Sequence, residues 1–138
     1  MISLLQGLEP RFYHDKEIIL QEGDEVNEEI FVINTGQHDK GGKYCIGFED
    51  RTSQQRYFHI KLGCKTIIGS YELLMDQKSQ FVYKALSHID AYGLRKEALQ
   101  PILEEHPDFR SQMTQYTVKY YYKVINFPMI KFKKSIYE

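Results

Sequence analysis

Ile67 to Ala85 reads IIGSYELLMDQKSQFVYKA, and the punctuation of this stretch decides how the rest of the chain is taken. A β-like run stops at Gly69, a short Glu72-Leu73-Leu74 turn follows, a polar loop comes next, and Phe81 to Ala85 forms a second β-like run. Glycine relaxes the backbone just where a helical turn begins, so free amide N–H groups can converge on one concave point. The layout is that of a phosphate-binding cassette held between two strands.

Working toward the N-terminus, Tyr57 to Leu62 alternates Phe58, Ile60 and Leu62 with His59 and Lys61, the period-two pattern of a half-buried antiparallel strand. Lys43 to Glu49 is a further strand, preceded by a polar loop, His38 to Lys43. Glu29 to Asn34 (EIFVIN) is expected to end in a hairpin at Thr35-Gly36. Glu17 to Gln21 is expected as a strand closed by the Glu22-Gly23-Asp24 turn, where glycine can take positive φ. Met1 to Leu8 carries apolar residues at helical spacing and runs into Glu9-Pro10, which cannot continue a helix.

Working toward the C-terminus, His88 to Arg95 is the last strand of what reads as an antiparallel roll. The period then changes. Glu97 to Glu105 is helical in pattern, with Pro101 expected in its first turn and the regular helix starting no earlier than about Glu97. After the His106-Pro107-Asp108 break, Phe109, Met113, Tyr116, Tyr120, Val124 and Phe127 recur every three or four residues. They predict one long amphipathic helix, its apolar face inward, ending before Pro128.

Composition narrows the function. The chain of 138 residues has the length of one domain, and a formal net charge of −1 supplies no field that would draw in nucleic acid. No stretch approaches the roughly 18 apolar residues of a membrane span, and no signal peptide is apparent, so this chain is expected to be soluble. Cys45 and Cys64 are expected as reduced thiols. Histidines 14, 38, 59, 88 and 106 never fall at metal-ligand spacing, so no metal is expected. Gly41-Gly42-Lys43 lacks the spacing of a nucleotide-phosphate loop, and no serine sits in a Gly-x-Ser-x-Gly elbow, so the chain is not expected to be an enzyme. Aromatics spaced like Tyr120, Tyr121 and Tyr122 ordinarily pack on a core, and Lys131, Lys133 and Lys134 ordinarily face solvent.

Ile-Ile-Leu-Gln-Glu-Gly-Asp at 18–24, the Gly36 hairpin, the cassette, its Ala85 strand and the closing helices occur in one order over nearly the whole chain. That order resembles the cyclic-nucleotide-binding domain family. The family's cassette reads roughly Phe-Gly-Glu, two variable residues, Leu-Leu, a loop, then Arg and a strand ending in Ala. Laid on without gaps, Ile68, Gly69, Leu73, Leu74 and Ala85 match it. The family's ribose-binding glutamate falls on Ser70 and its phosphate-binding arginine on Ser79.

The resemblance implies an α+β fold: an antiparallel β-roll, jelly-roll-like or a double-stranded β-helix, with a short N-terminal helix and two C-terminal helices. It implies a single domain over 1–138, with 1–8 the end of a preceding helix, 12–95 the roll, 67–85 the cassette and 97–127 the closing helices. The implied ligand site is a vestigial phosphate cassette of Ile68, Gly69, Ser70, Tyr71, Glu72 and Leu73, closed by Ser79, Gln80 and Phe81. Cyclic AMP or cyclic GMP is expected there weakly or not at all, and no other cofactor is expected.

Within the family the fit is best to the cytoplasmic regulatory domain of voltage-gated or cyclic-nucleotide-gated potassium and cation channels, of the ether-à-go-go-like or hyperpolarisation-activated type. The alternative is a soluble cyclic-nucleotide receptor such as a kinase regulatory subunit, and a third possibility is a structural interaction module. A channel would make the whole protein membrane-embedded, this domain cytoplasmic, and its partners the other subunits of a tetramer reached through linker helices. In ether-à-go-go-like relatives an aromatic segment after the last helix lies in the nucleotide pocket. By that resemblance Tyr121 or Tyr122, or else Phe127, is expected to reach the cavity beneath Gly69 and Ser79.

Overall fold

Eight strands are divided between two four-stranded antiparallel sheets in a computed structural model that describes residues 7–33 and 42–137. In chain order these are β1 (Leu8–Tyr13), β2 (Ile18–Leu20), β3 (Glu28–Ile33), β4 (Tyr44–Glu49), β5 (Arg56–Leu62), β6 (Ile67–Ile68), β7 (Val82–Ala85) and β8 (Ile89–Arg95). One sheet has the order β1-β8-β3-β6 and the other β2-β7-β4-β5. Helix α1 (Ser70–Met75) lies between β6 and β7; α2 (Lys96–Glu105) and α3 (Pro107–Tyr120) follow β8. A π-helical segment (Tyr121–Asn126) then joins α3 to α4 (Phe127–Tyr137). The architecture is the β-roll with C-terminal helices that the strand periodicity predicts.

The core forms where the two sheets face each other. Ile30, Val32, Ile68 and Ile89 from one meet Tyr44, Ile46, Phe48 and Tyr83 from the other. Tyr71 of α1 joins this cluster, as do Tyr121, Ile125 and Met129 of the C-terminal helix, so that helix is part of the main core. A second cluster, Leu73, Leu94, Leu99 and Leu103, ties α1 to α2. The β4–β5 pair carries a bulge at Gly47, where any Cβ would collide with the Tyr57 carbonyl.

Four expectations are corrected. The roll begins at Leu8, not Phe12: β1 pairs along its length with β8, and Pro10 is tolerated because β1 is an edge strand. Of the expected helix over Met1 to Leu8, Leu8 is strand and residues 1–6 lie outside the described residues, as do Asn34, the Thr35-Gly36 hairpin and most of the His38–Lys43 loop. Pro101 sits inside α2 and not in its first turn. The helix survives the lost hydrogen bond because Leu99 and Leu103 on either side are buried against Leu73 and Leu94.

The last helix also runs on through Pro128 to Tyr137 instead of stopping at Phe127. Just before the proline the ladder widens, with the Phe127 N–H bonding the Tyr122 carbonyl five residues back. The wider turn relieves the clash that a proline ring makes with the carbonyl four back. The buried face differs as well. Of the expected row, Met113, Tyr120 and Val124 are partly buried against the core, but Phe109, Tyr116 and Phe127 are 45%, 72% and 64% exposed, and Tyr121, Ile125 and Met129 form the fully buried row. Helix α3 buries none of its residues.

Candidate functional site

Gly69 opens the cassette in the left-handed region, φ +92°, and a Cβ there would come within 2.8 Å of Val26 Cγ1 and 3.0 Å of the Glu28 carbonyl. The chain turns from β6 into α1 at this point, and the Leu73 N–H bonds the Gly69 carbonyl at 3.0 Å. On the far side of the loop, Gly23 N–H donates to the Ser79 carbonyl at 2.8 Å and Ser79 N–H to the Asp24 carbonyl at 3.0 Å. The Glu22-Gly23-Asp24 turn and the cassette therefore brace each other.

The two serines at the family's charged positions are engaged elsewhere. Ser70 Oγ donates to Glu29 Oε1 at 2.9 Å, and Ser79 Oγ, buried, donates to the Phe81 carbonyl at 2.8 Å. Ile68, Leu73 and Phe81 serve the core. Two carboxyls stand close by: Glu29 is fully buried with Oε2 unpartnered, and Glu72 is 3% exposed with Oε1 unpartnered. Burial pushes both above the usual carboxylate range; the Ser70 hydroxyl opposes it at Glu29, and Glu72's own backbone N–H opposes it at Glu72.

Above α1 lies the tyrosine cluster. The Tyr121 ring centroid is 3.8 Å from that of Tyr71, and the Tyr121 hydroxyl reaches Gln80 Oε1 at 3.4 Å, an acceptor it shares with Asn126 Nδ2, also at 3.4 Å. Tyr122 meets Tyr71 edge-on at 5.8 Å, their hydroxyls 3.3 Å apart, but is itself 36% exposed. Phe127 leans on Tyr122 at 5.5 Å and is otherwise at the surface. Burial first, then the Tyr122 hydroxyl, pushes the Tyr71 phenol up to about 12. The structure thus places Gly69 to Glu72, Gln80, Tyr121 and Tyr122 around one point and leaves Phe127 outside it.

What space remains between α1 and the π segment is a cavity of about 30 Å³, bordered by Glu72, Tyr71, Tyr83, Tyr120, Tyr121 and Thr117 among others, with no basic residue among the described residues of its lining. Small-molecule sites ordinarily offer roughly 300–1,000 Å³. The space beside Tyr121 is a small fraction of that.

Glu29, Tyr83 and Asn126 belong to this neighbourhood and were not legible as such. Glu29 precedes the apolar run of β3 like an ordinary strand-end charge, and its partner Ser70 lies 41 residues away. Elsewhere, Cys45 and Cys64 are free thiols. Among the described residues no group of three or more His, Cys, Asp or Glu converges as a metal site, and no helix is long and apolar enough to cross a membrane.

Among solved structures the chain is similar to the catabolite activator protein of Thermus thermophilus, with a TM-score of 0.69 at 14% identity over 96% of this chain and 57% of that one. It is similar to cAMP-bound PfPKA-R, with a TM-score of 0.59 at 17% identity over 72% of this chain and 32% of that one. It is also similar to the regulatory subunit of a cAMP-independent protein kinase A from Trypanosoma brucei, with a TM-score of 0.61 at 14% identity over 81% of this chain and 38% of that one. In each case less than two thirds of the longer protein is spanned. At such identities the likeness is one of fold, and the fold is that of cyclic-nucleotide-binding regulatory domains. No family model and no curated protein matches the chain.

Proposed function

We propose that this chain is a regulatory domain of the cyclic-nucleotide-binding fold that works without a cyclic nucleotide, the Tyr121 ring of its own C-terminal helix standing in the ligand site. The observation that carries this reading is the 3.8 Å packing of Tyr121 on Tyr71 over the cassette, with only about 30 Å³ left beside it. Loss of the two charged ligands acts in the same direction. Charge-assisted hydrogen bonds contribute roughly 1.5–3 kcal/mol each, so two losses weaken a micromolar site by about two to four orders of magnitude. The fold is shared with the regulatory subunit of a cAMP-independent protein kinase A from Trypanosoma brucei, which is consistent with this reading.

In such a domain the position of the C-terminal helix is the output. A partner acts on it only by binding its docked and undocked states differently. The domain does no catalysis, and no metal takes part. For its host we propose the cytoplasmic side of a tetrameric cation channel, on the strength of the sequence resemblance. The transcription activator and kinase regulatory subunit that share the fold favour a second host, a soluble receptor. Membrane spans encoded upstream of Met1 in the full-length gene product decide for the channel, and their absence decides for the receptor.

Calorimetry with cyclic AMP and cyclic GMP tests the core of the reading. The native chain is expected to show no binding below the millimolar range. A dissociation constant of a few micromolar would overturn it.

A further inference from the structure

The chemistry of the cavity beside Tyr121 is opposite to that of a phosphate site. Among the described residues its only ionisable carboxyl or basic side chain is that of Glu72, 3% exposed, with carboxyl oxygen Oε1 unpartnered. Glu29, fully buried with Oε2 likewise unpartnered, stands behind Ser70. The walls are the rings of Tyr71, Tyr83, Tyr120 and Tyr121.

An anion brought here would face the buried Glu72 carboxyl and, among the described residues, no arginine or lysine. A cation would gain twice. A buried carboxyl without a partner is costly, and an ammonium supplies the missing donors together with the opposite charge. Aromatic faces attract cations as well, more strongly where water is excluded. We propose that this site takes a small aromatic ammonium, a ring carrying a protonated amine on a short arm, in place of the cyclic phosphate that the fold otherwise accommodates. The inference rests on the reading that Tyr121 occupies the ligand site, since the incoming ring takes the place of the Tyr121 ring while its amine meets Glu72.

The route for that exchange is built into the helix. Tyr121 is the first residue of the π segment, where the Tyr121 N–H is shared between the Thr117 and Val118 carbonyls. The helix upstream has no fully buried residue, and it touches the core through the partly buried Met113 and Tyr120. Downstream, Met129 is fully buried and holds α4 in place.

Tyr121→Ala in the full chain vacates a ring-sized space, of the kind that in other cores admits a free aromatic molecule. Three probes that share a phenol ring are titrated by calorimetry: tyramine with its ammonium arm, neutral ethylphenol, and anionic hydroxyphenylpropionate. Tyramine is expected to bind about tenfold tighter than ethylphenol, with hydroxyphenylpropionate weakest, and Glu72→Gln in the same background is expected to bring the tyramine-to-ethylphenol ratio to about one.

Equal affinity for the three probes, or a tyramine preference that survives Glu72→Gln, overturns the proposal. Should Tyr121→Ala not fold, Tyr121→Val carries the same titration. If neither folds, the melting temperature of the native chain is the readout, rising with tyramine and with neither other probe; no such difference overturns the proposal. Failure here leaves the nucleotide-free reading standing, because only micromolar cyclic-nucleotide binding by the native chain removes that.

Discussion

Ser79 and Ser70 show why restoring a motif is not a matter of letters alone. Ser79 is buried and bonded to the Phe81 carbonyl, and Ser70 is bonded to a buried carboxyl. Ser79→Arg must therefore push a guanidinium past packed neighbours, at about 1–3 kcal/mol, and Ser70→Glu would set a second carboxylate against Glu29. Ser79→Arg alone is expected to leave the chain without micromolar cyclic AMP binding. Combined with Tyr121→Ala, which empties the site, it is expected to gain at least tenfold over Tyr121→Ala by calorimetry, and no gain would show that the guanidinium does not reach the cassette.

Glu29 and Glu72 make a second residue-scale prediction. Both carboxyls titrate above the ordinary value of 4.5 in the native state, chiefly through burial. Between that value and the native one the folded chain binds more protons than the unfolded chain, so their contribution to stability is full below about pH 4.5 and is lost as pH rises through the native value. Glu29→Gln, whose amide oxygen can still accept from Ser70, is expected to match the native chain at pH 4.5. At pH 8 it should exceed it by about 1 kcal/mol or more, measured by urea unfolding at the two pH values. A variant less stable than native at pH 8 would contradict this.

Among the elements, the C-terminal helix changes its attachment along its length. Helix α3 has Tyr116 at 72% exposure, whereas beyond the wide turn Met129 is fully buried. On α4, Phe132 stacks on His59 at 4.4 Å, and the Tyr137 hydroxyl donates to Asp50 Oδ1 at 2.7 Å. Met129→Ala is expected to cost about 2–5 kcal/mol, and Tyr116→Ala no more than about 0.5 kcal/mol, by chemical denaturation. The reverse order would mean that the helix docks on the face its sequence period suggests.

At the scale of the whole molecule, the roll does not close its own core. Tyr121, Ile125 and Met129 come from beyond α3 yet sit in the cluster between the sheets. Burying each such side chain contributes about 1.5–3 kcal/mol, so the three together are comparable to the ~5–15 kcal/mol that holds a domain folded. Truncation after Lys119 is expected to abolish cooperative unfolding or to lower the melting temperature by more than about 10 °C, followed by circular dichroism. A truncated chain that melts like the native one would show that the helix is a dispensable appendage.

By itself the sequence determined the period-two strands, the glycine that turns β6 into α1, the order of the elements and the absence of charge at positions 70 and 79. Each of these is local: alternation, positive φ and the identity of a side chain need no partner to be legible. Only the tertiary structure decided that Leu8–Tyr13 pairs as a strand despite Pro10, that Glu29 and Glu72 are buried, and that Tyr121 rather than Tyr116 or Phe127 faces the roll. A helix with aromatic residues on several sides offers more than one apolar row, and the period of the sequence cannot choose among them. The choice fell to long-range packing: the extra width of the π turn before Pro128, and a gap above Tyr71 that one tyrosine ring fills.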